Sequence, residues 1–313
     1  MKILITGING FVGKNFVDVF KHQHILYGLD IISPIQEGVE HTFSWNELDK
    51  IPQVDVIVHL AGKAHDTKNQ SLAEIYFEIN TELTKKIFDY FLLSKTKKFI
   101  FFSSVKAAAD TTHNTILTED VVPNPVGPYA ESKIRAEQYI ESKKEEYINS
   151  NKNVFILRPC MIHGAGNKGN LNLLYNSVKN GLPWPLGAYD NLRSFCSIKN
   201  ISFVVEQLIE SEIESGTYNV CDDEVISTNK LIQLIAESVY KKPIIIRFPK
   251  ILVNTLASVG DFLHFPLNKE RLNKLTENYI VSNDKIKKAL KIERMKVSAI
   301  EGMKQTLNSF NLK

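Results

Sequence analysis

Lys2-Ile-Leu-Ile-Thr6-Gly7-Ile-Asn9-Gly10-Phe11-Val12-Gly13-Lys14-Asn-Phe-Val-Asp-Val-Phe20 decides the fold. The run up to Thr6 is short and apolar, as a parallel strand buried on both faces should be. Glycines at 7, 10 and 13 follow at once, and a helical stretch comes next. Strand, glycine turn and helix in this order are the context that a dinucleotide fingerprint requires. Gly7 makes the tight turn, Gly10 lets backbone approach a pyrophosphate, and Gly13 permits close helix–strand packing. The helix N-terminus then faces the phosphates. The spacing is G-x-x-G-x-x-G, not G-x-G-x-x-G.

The neighbouring strands extend this reading. His24-Ile-Leu-Tyr-Gly-Leu-Asp30 ends in a carboxylate. Such a residue accepts bonds from the adenosine ribose hydroxyls and repels a 2′-phosphate, so Asp30 points to NAD over NADP. A third strand, Val54 to Leu60, ends in Ala61-Gly62, small enough for a cofactor to pass over the sheet. A fourth, Lys98 to Phe102, ends in Ser103-Ser104. Strands and helices alternate as far as about Gly164, which predicts an α/β, Rossmann-like, doubly wound parallel sheet. The expected division assigns residues 1–165 and about 195–226 to an NAD-binding domain. Residues about 166–194 and 227–313 would form a smaller C-terminal substrate domain, leaving the substrate between the two.

The reactive groups come from Ser104 and from Tyr129-Ala-Glu-Ser-Lys133. A free tyrosine titrates near pKa 10 and needs neighbouring positive charge to act as a base at neutral pH. If Tyr129 begins a helix, Lys133 lies one turn on and on the same face. Lys133 together with a positive nicotinamide in a dry cleft could favour the phenolate, and Ser104 would hold a substrate hydroxyl beside it. The turn-rich stretch 110–128 joins Ser104 to Tyr129 and would wall the cleft.

These residues resemble the extended short-chain dehydrogenase/reductase family. The resemblance rests on Thr6-Gly-x-x-Gly-Phe-x-Gly13, His59-Leu60-Ala61-Gly62, Ser103-Ser104, Tyr129-x-x-x-Lys133 and Arg158-Pro159, and it runs through essentially the whole chain. Gly164–Asn170, Leu182–Gly187, Asn191–Phe195 and the tail from Leu272 to Leu290 narrow it to nucleotide-sugar 4-epimerases and 4-ketoreductases of polysaccharide biosynthesis. The resemblance implies that Ser104, Tyr129 and Lys133 are catalytic, with Lys133 also on the nicotinamide ribose. Gly7, Asn9, Gly10, Phe11, Val12, Gly13, Asp30, Leu60, Ala61, Gly62, Asn80, Ser103 and Pro159 would line the cofactor. Ser104, Lys106, Asn170 and Arg193 would contact substrate, Arg193 gripping diphosphate as a planar guanidinium can. Relatives pair through the helices of 71–93 and 129–148, which implies a homodimer. Three positions depart from the family pattern: Lys106-Ala-Ala-Ala109 after the serine, His163 after Arg-Pro, and Asn200 in place of an aspartate. No acidic adenine contact is evident, and Ser44 and Trp45 occupy that region.

Composition sets the outer limits. The chain has 313 residues, 43% of them apolar, and a net charge of +3, too mild to argue for nucleic acid. Mean hydropathy is −0.14. No signal peptide is expected, nor any segment of ~18 apolar residues that would span a membrane. Ile251 to Leu263 reads as a buried or subunit-contacting helix, with a peripheral membrane contact as the alternative. Cys160, Cys196 and Cys221 are expected as free thiols in a reducing cytoplasm. His22, His24, His59, His65 and His113 form no i,i+4 pair, so no metal is expected.

Three functions fit. The first is a UDP-hexose or UDP-N-acetylhexosamine 4-epimerase that retains its NAD and passes through a 4-keto sugar. The second is a UDP-4-keto-6-deoxy-sugar C4 reductase using the same residues in one direction. The third is a non-catalytic NAD-binding protein. A dehydratase fits less well, because Val105-Lys106 offers no carboxylate beside the serine.

Overall fold

The computed structural model describes residues 1–64, 72–112, 115–167, 169–263 and 268–311, so His65 and His113 lie outside the described residues. Seven strands form one parallel sheet: β1 Lys2–Thr6, β2 Ile25–Leu29, β3 Val39–Phe43, β4 Val56–His59, β5 Lys98–Phe102, β6 Asn153–Pro159 and β7 Gly216–Val220. Their spatial order is β7-β6-β5-β4-β1-β2-β3. Chain order reverses between β1 and β4, the switch point at which open α/β sheets bind ligands beyond their carboxyl ends.

β3 corrects the strand count. Val56–His59, expected third, is fourth in the chain, and Lys98–Phe102 is fifth. β3 pairs only with β2 at the sheet edge, and its Glu40 and His41 are exposed. An edge strand with a wet side carries no continuous apolar run, which hides it in the sequence. β5 at the centre is the opposite case, with all five residues buried.

Two apolar clusters cover the sheet. Phe16 and Phe20 of the helix Phe11–Phe20 join Val204 and Leu208 of the helix Ile198–Glu210 on one face. Phe88 and Phe91 of the helix Leu83–Leu93 join Ile140 on the other. Each face is also tied down by a buried lysine. Lys98 Nζ reaches the carbonyls of Ile209 at 2.9 Å and Ser211 at 2.8 Å, at the end of the first face's helix. Lys152 Nζ reaches those of Leu92 at 2.8 Å and Ser94 at 2.6 Å, at the end of the second face's helix. Terminal carbonyls left over by the helix ladder thus receive charged donors.

A third cluster gathers Leu171, Tyr175, Phe195, Ile232, Ile235, Met303 and Leu307, and a fourth gathers Leu186, Val253, Ala257 and Leu272. Tyr279, Val281, Ile286 and Met295 pack instead with the sheet's own cluster. The helix Lys250–Leu263 departs from the buried reading of 251–263: Val253 and Ala257 are buried, but Ile251, Leu252, Leu256 and Val259 are exposed. Its inward side meets the fourth cluster, and no described residue covers its outward side.

Candidate active site

The glycine turn closes as expected. Gly7 has φ +69°, and a Cβ there would lie 2.8 Å from the backbone of Ala61, so both the conformation and the space demand glycine. At Gly13 a Cβ would lie 2.5 Å from the Ile8 carbonyl, which is how the helix Phe11–Phe20 seats against the turn. Asp30, just past β2, accepts from the backbone N–H of Asn9 at 2.9 Å and of Ile31 at 2.7 Å. Its carboxylate is therefore fixed beside the turn. Asn9 also donates its side-chain amide to Ile32 O, fastening the segment after β2.

At the end of β4, a buried hydrogen-bonded chain fixes the floor of the site. Ala61 N–H donates to Thr6 Oγ1, and Thr84 Oγ1 donates to Asn80 O. The Thr84 oxygen must then accept from His59 Nε2–H at 2.8 Å, which leaves His59 Nδ1 to accept from Thr6 at 2.6 Å. His59 is fully buried, and burial first, then Lys133, hold its pKa well below the usual histidine range. It is a neutral connector between β1, β4 and the helix beyond.

Asn80 sits in a π-helical turn, Glu78–Glu82, between the helices Ala73–Phe77 and Leu83–Leu93. Such turns are rare and recur at functional sites. Asn80 accepts from Lys63 N–H at 2.7 Å and donates to Ser132 Oγ at 2.9 Å.

Tyr129 does begin a helix, Pro128–Ser142, with Pro128 at its first position. Lys133, one turn on, is buried and donates to Phe102 O at 2.8 Å. A Cβ on Gly62 would lie 3.1 Å from Lys133 Nζ and 3.0 Å from Asn80 Oδ1, so all three converge. Ser104 caps the short helix Val105–Ala108, its Oγ accepting from Lys106 N–H at 3.2 Å, and its hydroxyl lies on the side of the Tyr129 phenol, whose ionisation it favours. Tyr76 lies edge-on to Tyr129 at 6.4 Å. Burial pushes the Tyr129 phenol above the usual tyrosine range, and Ser104 beside it works only partly in the other direction. Burial brings Lys133 down to about 8, with Glu137 working in the other direction. In the protein without its cofactor Lys133 alone does not bring the phenol down, as expected of a lysine lacking the nicotinamide charge beside it. The ammonium is committed to Phe102 O, and desolvation outweighs its charge.

Below Lys133, Arg158 and Glu137 form a buried two-pronged ion pair, with Nη2 2.6 Å from the carboxylate. Ser103 also donates to Glu137. Glu137 and Tyr76 were not found from the sequence. The signal for Glu137 was present, since Tyr129, Lys133 and Glu137 repeat every four residues along one helix face.

The remaining positions surround this centre. Leu60, Ala61, Ser103 and Pro159 lie at the carboxyl ends of β4, β5 and β6. Lys106 Nζ is held by Asp110 at 3.0 Å and lies 4.5 Å above the Tyr279 ring. Tyr279 Oη donates to Ala109 O at 2.7 Å, and its backbone bridges to Arg193. Arg193 is half-buried. It donates to Lys274 O, while its Nε is enclosed with no partner among the described residues. Asn170 is exposed at the start of the helix Asn170–Lys179. His163 and Asn200 serve structure instead. His163 lies between Thr306 at 2.8 Å and Asp222 at 3.4 Å, and Asn200 ties Asp222 to Val297. Ser44 donates to Glu47, holding that carboxyl down to about 2 after Lys50, which contributes most. Among the described residues no cluster of metal-ligating side chains occurs.

The three glycines of the turn, the anchored Asp30 carboxylate and the bare backbone of Gly62 beside Lys133 fit a bound NAD. UDP-glucose 4-epimerase of Vibrio cholerae is 29% identical over 253 residues, covering 75% of this chain and 74% of its own. The N-acetyl-α-D-glucosaminyl-diphospho-ditrans,octacis-undecaprenol 4-epimerase of Escherichia coli O157:H7 is 25% identical over 296 residues, 91% of this chain and 84% of its own. The solved UDP-glucose 4-epimerase of Thermotoga maritima shares the fold, with a TM-score of 0.76 at 21% identity over 100% of this chain and 99% of that one. The profile of one family matches residues 3–221, well over half of the sequence. By that match and the dinucleotide cradle it covers, the chain belongs to the NAD dependent epimerase/dehydratase family, and NAD is its cofactor.

Proposed function

We propose that the protein is a nucleotide-sugar 4-epimerase, acting on a UDP-hexose or UDP-N-acetylhexosamine through a transient 4-keto sugar. The observation that carries this reading is the meeting of Ser104, Tyr129 and Lys133 beside Gly62, on the same sheet edge as the glycine turn and Asp30. In this reading Ser104 receives the C4 hydroxyl and holds it against the Tyr129 oxygen. Tyr129 takes the hydroxyl proton and later gives it back. Bound NAD supplies acceptance and return of the C4 hydride, the return being to the other face of the sugar.

Lys133 binds the nicotinamide ribose and adds its charge to the site. Because burial keeps Tyr129 protonated in the empty pocket, its ionisation waits for further positive charge beside it. Proton removal is thus tied to occupancy. Asn80 holds the chain at Lys63 against the pocket. Arg193, with an enclosed and unpartnered Nε, offers a charge-assisted donor for a diphosphate. Lys106 and Asn170 complete the substrate contacts. Residues 1–165 and about 195–226 hold the cofactor, about 166–194 and 227–313 close over the sugar, and two copies pair through the helical stretches 71–93 and 129–148.

The test is to denature protein purified without added nucleotide and to identify what it releases by mass spectrometry. Near-stoichiometric NAD, followed by interconversion of UDP-glucose and UDP-galactose or their N-acetylamino forms without added cofactor, supports the epimerase. Strict consumption of NADH or NADPH with a 4-keto-6-deoxy sugar would replace it with the reductase.

A further inference from the structure

Residues 238–260 read Ser-Val-Tyr-Lys-Lys-Pro-Ile-Ile-Ile-Arg-Phe-Pro-Lys-Ile-Leu-Val-Asn-Thr-Leu-Ala-Ser-Val-Gly. Lys241, Lys242, Arg247 and Lys250 stand in this run, and no carboxylate occurs between Glu237 and Asp261. The structure gives the run two consecutive forms that share one property. From Ile244 to Phe248 the chain lies extended along 184–187, with Trp184 N–H donating to Ile244 O at 2.8 Å and Ile246 N–H donating to Trp184 O at 2.8 Å. Side chains alternate there: Ile245 is half-buried, while Ile244, Ile246 and Phe248 are exposed. The helix Lys250–Leu263 then turns Val253 and Ala257 inward and leaves Leu252, Leu256 and Val259, at i, i+4 and i+7, exposed. A strand edge and a helix stripe thus present apolar rows outward, in a run whose charges are all positive until Asp261 in the helix's last turn.

A helix that is apolar on both sides needs a cover for the second. No helix among the described residues is long and apolar enough to cross a membrane. An apolar stripe with cations and no acids is the pattern of a segment that lies in a bilayer interface and draws on anionic headgroups. All four cations are exposed, though by strand alternation Arg247 shares the side of Ile245. Lys250 lies 5.4 Å over the half-buried Tyr189 ring, and Lys241 gives one donor to Lys179 O at 2.6 Å. The surface is also close to the candidate site. Val253 and Ala257 pack on Leu272 of the helix Lys269–Thr276, whose Lys274 carbonyl receives Arg193.

We propose that residues 240–259 form a docking surface for an anionic lipid bilayer, holding the enzyme peripherally at the membrane with the Arg193 side of its cleft one helix layer away. This inference does not depend on which sugar the enzyme turns over. The experiment is co-sedimentation of the whole protein with phosphatidylglycerol-rich vesicles and with pure phosphatidylcholine vesicles, beside Ile246→Glu, Leu256→Glu, Lys242→Gln and Arg247→Gln. All four side chains are exposed, and circular dichroism with the melting temperature verifies that each variant folds. The expected result is binding to phosphatidylglycerol vesicles that weakens with salt and is at least ~10-fold weaker on phosphatidylcholine. Either glutamate variant loses roughly ten-fold or more, and each neutralised cation roughly five-fold. Absence of phosphatidylglycerol binding, or glutamate variants that bind like the parent, would overturn the proposal. So would a parent protein that ignores vesicles but loses self-association in Leu256→Glu, which would assign the face to a second copy.

Discussion

At the scale of single residues, Lys133 carries a conflict between stability and chemistry. Its ammonium is buried, and its pKa falls from 10.5 to about 8 on folding. A base depressed on folding binds fewer protons in the native state than in the unfolded state between those two values. Stability should therefore rise as pH climbs from about 8 towards 10.5, and below about 8 the buried charge is a standing cost. Lys133→Met should remove that pH dependence, raise the melting temperature of the ligand-free protein at pH 7, and cost turnover ~100-fold or more. Melting curves across that pH range check the first two parts; a variant that melts lower than its parent would refute them. Glu137 makes a different prediction. Glu137→Gln leaves the Arg158 guanidinium buried without its counter-charge, at a cost of about 3–5 kcal/mol, or roughly 10 °C in the unfolding midpoint. Replacing both partners, as in Glu137→Leu with Arg158→Met, should recover most of that loss.

At the scale of elements, the glycine turn separates two kinds of constraint. Gly13 faces a steric limit alone, with the Ile8 carbonyl at 2.5 Å from a would-be Cβ. Gly7 faces the Ala61 backbone and a left-handed φ together. An L-residue pays about 1–2 kcal/mol for that φ before any clash is counted. Gly7→Ala should therefore lower both the melting temperature and NAD retention more than Gly13→Ala, measured by thermal unfolding and by the NAD released on denaturation. An equal loss in both would show that the clash alone decides. The helix Pro128–Ser142 works differently. It places Tyr129 at the cleft, Lys133 under Gly62 and Glu137 against Ser103 and Arg158, so one helix face links the Tyr129 phenol to the core charge pair.

At the scale of the whole molecule, the helices Leu83–Leu93 and Pro128–Ser142 lie together, with Tyr139 bonded to Asp89 and Lys85 over the Tyr139 ring at 5.7 Å. If two copies pair through them, light scattering should give a mass near twice the 35.6 kDa of one chain, and a single-chain mass at micromolar concentration would reject the pairing. What the sequence disclosed follows from distance along the chain. The turn of 7–13 and the pair Tyr129–Lys133 are local, so spacing alone reveals them. β3 escaped because an edge strand keeps polar residues on its open side. The π turn around Asn80 escaped because its register has no compositional mark, and Arg193's enclosure because Lys274 and Tyr279 reach it from more than 80 positions away. The outward side of 250–263 escaped because an apolar repeat does not state which of its sides is covered. The two lysines that bind the ends of the flanking helices have a use of their own. Lys98 serves one face of the sheet and Lys152 the other, and both amines are shielded while those carbonyls hold them. A pulse of an acylating reagent should leave them unmarked in the folded protein and mark each only when its face opens. The chain thus carries two internal clocks, one per layer, from which mass spectrometry can time the loosening of each side separately.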